Sequence, residues 1–518
     1  MKKKPIITAS EAASQVNDGD TVASSGFVSS AIPEGLIKAL EARFLETGSP
    51  RGITYFYAGS QGMRDGRGGD RIAHKGLARR VIAGHYNTAP ALGEMILKGE
   101  IEGYNLPQGV LSQLTRDIAA RRPGTVTHVG LGTFVDPRQA GGKLNSITTE
   151  DMVVLLEISG EEKLLYKSFP IDVAFIRGSY ADEAGNVTMH REVCEGEVTS
   201  IAQAAKNSGG KVFVQVEKVV PAGTLDPRLV KISRNLVDAL IIGDPEDHEQ
   251  SYGCDYDPSL TGDVRIQVNE IPKIPLNVKK IIARRAALEL KEGALVNLGI
   301  GIPEFVAAVA NEEGIGDSIM LTVEAGPNGG IPQAGVRFGA AVNPECILAQ
   351  HDQFDYYDGG GIDLACLGMA QADKEGDINV SMFSGRLAGC GGFINITQNA
   401  KNVCFCGTFT SGGFDEKIED GKLIILKEGR QRKFINSVEQ ITFSGAYARK
   451  SGKKVLYITE RAVFELKEDG VWLTEIAPGV DLKTHILAEM EFVPKMGPGG
   501  PVLMDERIFR EGLMGISI

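Results

Sequence analysis

Two stretches decide how this chain folds: DGDTVASSGFVSSAIPEGLIKAL, residues 18–40, and EGALVNLGIGIPEFVAAVA, residues 292–310. Each runs through an acidic-glycine turn, a short apolar strand and a Gly-rich or Ser-rich bend. Each then reaches Ile-Pro-Glu at the start of an amphipathic helix. Proline suits the first helical turn, where its missing N–H has no partner to lose. Glu34 and Glu304 read as first-turn acids near the positive end of a helix dipole. A second matched pair follows in the same order: IDVAFIRGSYADEAGNVTMH, 171–190, and IDLACLGMAQADKEGDINVS, 362–381. Pro33 lies 139 positions before Asp172, and Pro303 lies 60 before Asp363. A duplication in which the first copy gained some 79 positions accounts for both order and spacing.

Strand patterns such as KVFVQVEKVV, DALIIGD, NVCFCGTF and KVLYITE alternate with helical stretches. The expectation is an α/β protein of two related open-sheet domains with mostly parallel strands, fused in one chain. The stretch VNEIPKIPLNVKK, 268–280, with two prolines and no strong periodicity, reads as the linker. The expected domains are therefore 1–274 and 275–518.

Composition narrows the function classes. The 518 residues carry 55 Lys and Arg against 67 Asp and Glu, a net charge of −12. That opposes a general nucleic-acid or anionic-membrane surface. No run approaches the roughly 18 apolar residues of a membrane span. Polar residues from Ser10 to Asp20 interrupt any signal-like core behind the N-terminal lysines. Seven cysteines, odd in number and irregular in spacing, fit a reduced cytoplasm. Cys404 and Cys406 read as small buried hydrophobes. Neither they nor the seven histidines form a metal-ligand pattern, so no metal is expected. Glycine is abundant, 64 residues, which implies many tight turns and close backbone approaches.

The candidate chemistry lies at strand ends, where ligands bind in such sheets. In LTVEAGPNGG, 321–330, an apolar strand ends at Glu324 and a glycine-rich loop follows. On the residues alone Glu324 is either a solvated turn residue or a nucleophile with room around it. NLGIGIPE, 297–304, is neither GxGxxG nor a P-loop, yet amides at a helix start can cradle an anion. FSGRLAGCGGFINI, 383–396, is a second glycine cluster, whose amides could face a developing oxyanion or simply allow two loops to cross. No GxSxG elbow is present. A carboxylate needs no general base, being ionised near pH ~4.3 and above. It can attack an acyl carbonyl to form an anhydride, which a thiolate reopens to a thioester.

Taken together and in order, NLGIGIPEFVA, VEAGPNGG, DGGGIDLACLGMAQADKEGDINVS and AGCGGFINITQN resemble the family I coenzyme A transferases. SGFVSSAIPEGL, GSQGMRDGRGGD, YNLPQG and RGSYADEAGNVT extend the resemblance through the first half, to about residues 5–494. It is closest to the propionate/acetate, short-chain acyl members. The resemblance implies transfer of coenzyme A between a short-chain acyl-CoA and a free carboxylic acid. It implies a ping-pong mechanism through a glutamyl-CoA thioester on Glu324, with coenzyme A as substrate and covalent intermediate rather than a resident cofactor. It also implies a homotetramer or dimer. Gln108 is similar to a glutamine that reaches the reacting carboxylate. The Val28 and Gly391 amides resemble oxyanion donors, and Gly299, Gly301, Ile302, Asp363 and Gly389 resemble coenzyme A contacts. One departure stands out: many relatives read Ser-Glu-Asn-Gly where this chain has Val323-Glu324-Ala325-Gly326. The alternatives are an acyl-CoA hydrolase using the same glutamate and a non-enzymatic metabolite-binding protein. The preferred acid is left open by the sequence, as is the role of the tail, residues 495–518, beyond an ordered surface tail or subunit contact.

Overall fold

A computed structural model describes residues 2–267 and 274–518. The linker reading falls partly on 268–273, which lie outside the described residues. Contacts divide the chain into two compact units. The first comprises residues 1–266, 323–355 and 386–395, and the second 267–322, 356–385 and 396–518.

In the first unit the strands β1 (Thr21–Ser24), β2 (Ile53–Tyr57), β3 (Ala78–Ala83), β4 (Glu102–Asn105), β5 (Val173–Arg177), β6 (Lys211–Val216) and β7 (Ala239–Ile242) form one sheet. Its order is β7-β6-β5-β1-β2-β3-β4, parallel throughout. Most of these strand residues are buried, as near-continuous apolar runs in parallel sheets require. Helices α1 (Glu34–Thr47), α2 (Pro90–Leu97), α3 (Gln108–Ala119) and α4 (Val198–Asn207) connect them.

In the second unit α5 (Val278–Ala287) precedes β8 (Leu295–Leu298), α6 (Phe305–Glu312), β9 (Met320–Thr322), β10 (Leu364–Gly368), β11 (Asn402–Cys406) and β12 (Lys454–Ile458). These strands run parallel in the order β9-β8-β10-β11-β12. The antiparallel strands β13 (Ala462–Lys467) and β14 (Gly470–Ile476) continue the sheet beyond β12. Five strands of one sheet thus match five of the other: β2, β1, β5, β6 and β7 correspond to β9, β8, β10, β11 and β12. The extra residues of the first copy lie between β2 and β5, where β3, β4, α2 and α3 are added.

The Ile-Pro-Glu motifs open helices as their sequence indicates, but their glutamates differ. Glu34 is buried, accepts from Gly68 N at 3.1 Å and pairs with Arg71 at 2.5 Å. It is the first-turn acid of α1 and, being buried, also an internal anchor for the 68–72 turn. Glu304 follows a short 3-10 turn, Ile302–Glu304, and burial raises its pKa. Cys404 and Cys406 alternate on β11 and lie in the second unit's apolar core.

Contacts correct the domain division read from the sequence. Residues 323–355 and 386–395 follow the linker in sequence yet pack with the first unit. The chain leaves the second unit directly after β9, so Glu324 belongs to the first.

The C-terminal tail is packed rather than loose. Met504, Ile508, Phe509 and Met514 join the core around α5. Arg284 of α5, 1% exposed, donates Nη1 to the carbonyls of Arg507, Ile508 and Arg510 at 3.3, 3.2 and 2.7 Å, and Nη2 to that of Gly512. Glu313 accepts the amides of Met514 and Gly515, each at 2.8 Å. A buried guanidinium here serves four backbone carbonyls, so removing it strands all of them. We predict that Arg284→Met lowers stability by about 3 kcal/mol, read as a lower urea midpoint for the second unit.

Candidate active site

Glu324 sits in a tight turn beyond β9. Val323 N donates to Pro327 O at 2.9 Å and Gly326 N to Val323 O at 3.0 Å, which closes the turn around the glutamate. Gly326 has φ +126°, and a Cβ there would collide with the Leu348 carbonyl. Leu348 N returns a bond to Gly326 O at 3.0 Å, tying the turn to the segment that enters the helix Gln350–Asp358. Glu324 itself is partly buried. Loss of hydration raises its carboxyl pKa to about 7, opposed only by a local backbone bond.

Glycines bring the other first-unit positions to this turn by close approach. A Cβ on Gly339 would meet the Phe27 ring at 2.5 Å and the Ala325 Cβ at 3.6 Å, so the residues beside Val28 and Glu324 flank one glycine. Phe27 also lies 5.8 Å, ring to ring, from Phe338. A Cβ on Gly59 would lie 2.9 Å from the other edge of Phe27 and 3.5 Å from Gln108 Cδ. One on Gly391 would lie 3.7 Å from Gln108 Oε1. Glu324, Val28, Gln108, Gly389 and Gly391 thus all fall in the first unit, around Phe27 and Gln108.

Gln108 is the first residue of α3, held by its N–H to Gly391 O at 2.9 Å. Its side chain is 2% exposed. Its Nε2 donates to Gln350 Oε1 at 3.1 Å, and Gln350 Nε2 donates in turn to Glu197 Oε1. Glu197, also buried, occupies the N-cap of α4. Burial lifts its pKa to about 7, with Ser112 pulling the other way. The sequence reading missed both Gln350 and Glu197. No spacing links residues 108, 197 and 350, and only the fold makes them neighbours.

The oxyanion expectation is not met as written. Val28 N donates to Ser60 O and Gly391 N to Gly84 O, each at 2.7 Å, so neither amide is free to receive a developing charge. What Val28 does show is strain: a β-branched residue at φ +57°, a conformation costing about 1–2 kcal/mol. Its carbonyl accepts from Gly62 N at 2.7 Å and its neighbour Ser29 donates to Val336 O, which hold the loop in place. Gly389 is a packing glycine at φ +87°, 2.8 Å by its Cβ position from the His85 backbone.

Gly299, Gly301 and Ile302 belong to the second unit, at the C-terminal end of β8. A Cβ on Gly299 would press on Leu367 of β10, and Gly301 needs its φ of +91° to turn into the 3-10 turn. Ile302 lines a cavity of about 430 Å³ with Lys279, Thr408, Thr410, Gly412 and Phe414. Asp363 does not join them. It stands at the opposite end of the same sheet, where its carboxylate accepts Leu295 N at 2.9 Å and pairs with Lys401 at 2.7 Å. Asp172 holds Thr21 N in the same way at 2.8 Å. The shared Ile-Asp motif is a strand-start clamp repeated in both halves. Among the described residues no cluster of metal-ligating side chains occurs, and no helix is long and apolar enough to cross a membrane.

A family model described as coenzyme A transferase matches residues 6–243. The chain is 46% identical to caffeate CoA-transferase of Acetobacterium woodii over 518 residues, covering 99% of this chain and 98% of that protein. The chain belongs to the coenzyme A transferase family. It is 43% identical to acetate CoA-transferase YdiF of Escherichia coli K12, covering 99% and 97% of the two chains. The solved thioester complex with CoA of acyl-CoA transferase YdiF from E. coli O157:H7 superimposes with TM-score 0.95 at 42% identity, covering 100% of this chain and 98% of that one. The fold is accordingly the fused pair of α/β CoA-transferase domains. The chain is a CoA-transferase acting between an acyl-CoA and a carboxylate, with coenzyme A as substrate.

The raised pKa of Glu324 has a stability consequence with a definite sign. A carboxyl at about 7 when folded and near 4.5 when unfolded holds its proton more tightly in the folded state. Stability therefore falls as pH rises from 4.5 to 7, and the full cost stands above pH 7. Glu324→Gln removes the charge. We predict that it stabilises the protein by about 1–3 kcal/mol at pH 8.5 and by little at pH 4.5, read from urea midpoints at the two pH values.

Proposed function

We propose that Glu324 is the nucleophile of a ping-pong transfer of coenzyme A between short-chain acyl-CoA and a free carboxylic acid. The observation that carries this reading is the position of Glu324: a carboxylate whose pKa burial raises to about 7, in a glycine-bounded turn at the end of β9. A carboxylate oxygen attacks the thioester carbonyl, the C–S bond breaks, and coenzyme A leaves as thiolate. The resulting acyl-glutamyl anhydride is attacked at the glutamyl carbonyl by that thiolate, which releases the donor acid and leaves glutamyl-CoA thioester. The acceptor carboxylate runs the same steps backward. A pKa near 7 suits the task, since the more basic carboxylate is the better nucleophile while about half is ionised at neutral pH.

With the Val28 and Gly391 amides engaged, the Gln108 side-chain amide is the polar group this reading places against the reacting carboxylate. Gly299, Gly301 and Ile302 would contact coenzyme A at the 430 Å³ cavity. Ser411 also lines a second cavity of about 780 Å³ whose Arg430, Arg432 and Lys433 suit phosphate groups. Of the relatives' names, acetate CoA-transferase supports a short-chain acid, while caffeate CoA-transferase names a larger aromatic one, so the names leave the acid open. The reading includes a cytoplasmic setting, supported by seven unpaired cysteines, and a homo-oligomer, tetramer or dimer, carried over from the resemblance.

The test is the intact mass after brief incubation with acetyl-CoA or propionyl-CoA without acceptor. We expect a stoichiometric coenzyme A adduct on the Glu324 peptide, discharged by added acetate. Glu324→Gln should give no adduct and lower kcat by more than about 10³-fold. Steady release of free coenzyme A with no adduct would instead favour hydrolysis.

A further inference from the structure

Three buried polar side chains lead away from the site in a line. Gln108, Gln350 and Glu197 are each 2% exposed, and all belong to the first unit. As they stand, Glu197 accepts from Gln350 Nε2, Gln350 Oε1 accepts from Gln108 Nε2, and Gln108 Oε1 is the atom left towards Gly391. An amide has a donor end and an acceptor end, so the direction of the chain is set by its last member. An ionised carboxylate can only accept. It therefore turns both amides so that Gln108 presents a carbonyl oxygen, an acceptor, to the site. A protonated Glu197 can donate to Gln350 Oε1. Gln350 Nε2 then donates to Gln108 Oε1, and Gln108 presents its N–H groups instead.

We propose that Glu197 is a positioning residue that acts through Gln350 to decide which end of the Gln108 amide meets the acceptor carboxylate. This rests on the transferase reading above. A carboxylate substrate carries only acceptors, so it is bound by the N–H end and repelled by the carbonyl end. The protonated form of Glu197 is thus the form that binds the acceptor acid. Its pKa of about 7 places the change within the working range.

The other titratable groups around Glu197 do not provide the same switch. On its own segment, Glu192 is buried against Arg177 at 3.1 Å, Glu195 pairs with Lys231 at 2.6 Å, and burial raises the Cys194 thiol pKa. On α3, Arg116 is bonded to Asp355 at 2.8 Å. On the helix from Gln350, His351 lies 3.5 Å from Asp352, and burial lowers its pKa. None of these stands in the Gln108–Gln350–Glu197 line.

The experiment loads the full-length enzyme with coenzyme A from acetyl-CoA, then follows discharge by acetate from pH 6 to pH 9. For the wild type, KM for acetate should rise about tenfold per pH unit once Glu197 has ionised. Glu197→Gln, which always carries a donor, should hold KM for acetate flat across that limb. Gln350→Met, which cuts the line while keeping side-chain length, should also abolish the limb and raise KM at every pH. In both variants loading by acetyl-CoA keeps its low-pH limb, which belongs to Glu324. If the wild-type limb persists unchanged in either variant, Glu197 does not orient Gln108 and the proposal falls. If the wild type never loads, it is the transferase reading that fails.

Discussion

The proposed transfer rests on one carboxylate, Glu324, whose charge burial disfavours. Among the described residues no basic side chain pairs with it, and a local backbone bond is what opposes the loss of hydration. Such a group survives only where the surrounding backbone is fixed independently of it. The turn is fixed twice: by its own bonds at Val323 and Gly326, and by the return bond from Leu348. Close packing around the turn is what its glycines allow, since Gly326 and Gly339 sit where any side chain would strike the Leu348 carbonyl or the Phe27 ring. Gly339 packs between the residue after Glu324 and the Phe27 ring, and Gly59 packs between that ring and Gln108.

Raising the pKa of a nucleophilic carboxylate has two effects of opposite value. Less of it is ionised at neutral pH, and what is ionised attacks better. The compromise near 7 also makes neighbouring polar groups matter, because a carboxylate with no salt bridge depends on neutral dipoles. Gln108 is the dipole on which the proposed transfer draws, and its own orientation is not intrinsic to it. It inherits that orientation from Gln350, whose other end is fixed by Glu197. A second carboxyl whose pKa burial raises to about 7 thus ends the line of amides that starts at Gln108.

The scaffold was readable because it obeys period and punctuation. Ile-Pro-Glu after a glycine bend announces strand then helix, and the duplicated order of motifs foreshadows five matching strands. Glu324 was readable as the candidate nucleophile because a lone carboxylate at an apolar strand end stands out against its neighbours. What escaped depends on pairings between distant positions. That Val28 and Gly391 have spent their amides on Ser60 and Gly84 is a fact of loop geometry, invisible in a glycine-rich string. Asp363 misled for a related reason: it lies in a conspicuous glycine-rich motif, yet its work is to clamp Leu295 at the start of a strand. Nor does chain order reveal that residues 323–355 pack with the first unit, because the crossing at Val323 has no compositional mark.

The duplication sets a carboxylate in one copy against an alanine in the other. Asp172 holds Thr21 as Asp363 holds Leu295, which aligns β1 with β8 residue for residue. Thr21 pairs with Thr54, and Leu295 with Met320, so the register carries across to β2 and β9. Followed past the strand ends, it sets Glu324 against Ala58 and Ala325 against Gly59. The two halves thus differ at the decisive position by a carboxylate against a methyl group. Gly59, beside Ala58, supplies the close approach between Phe27 and Gln108. Alanine and glycine in the first copy turn that strand end into packing surface, whereas the second copy carries the carboxylate on which the proposed transfer rests.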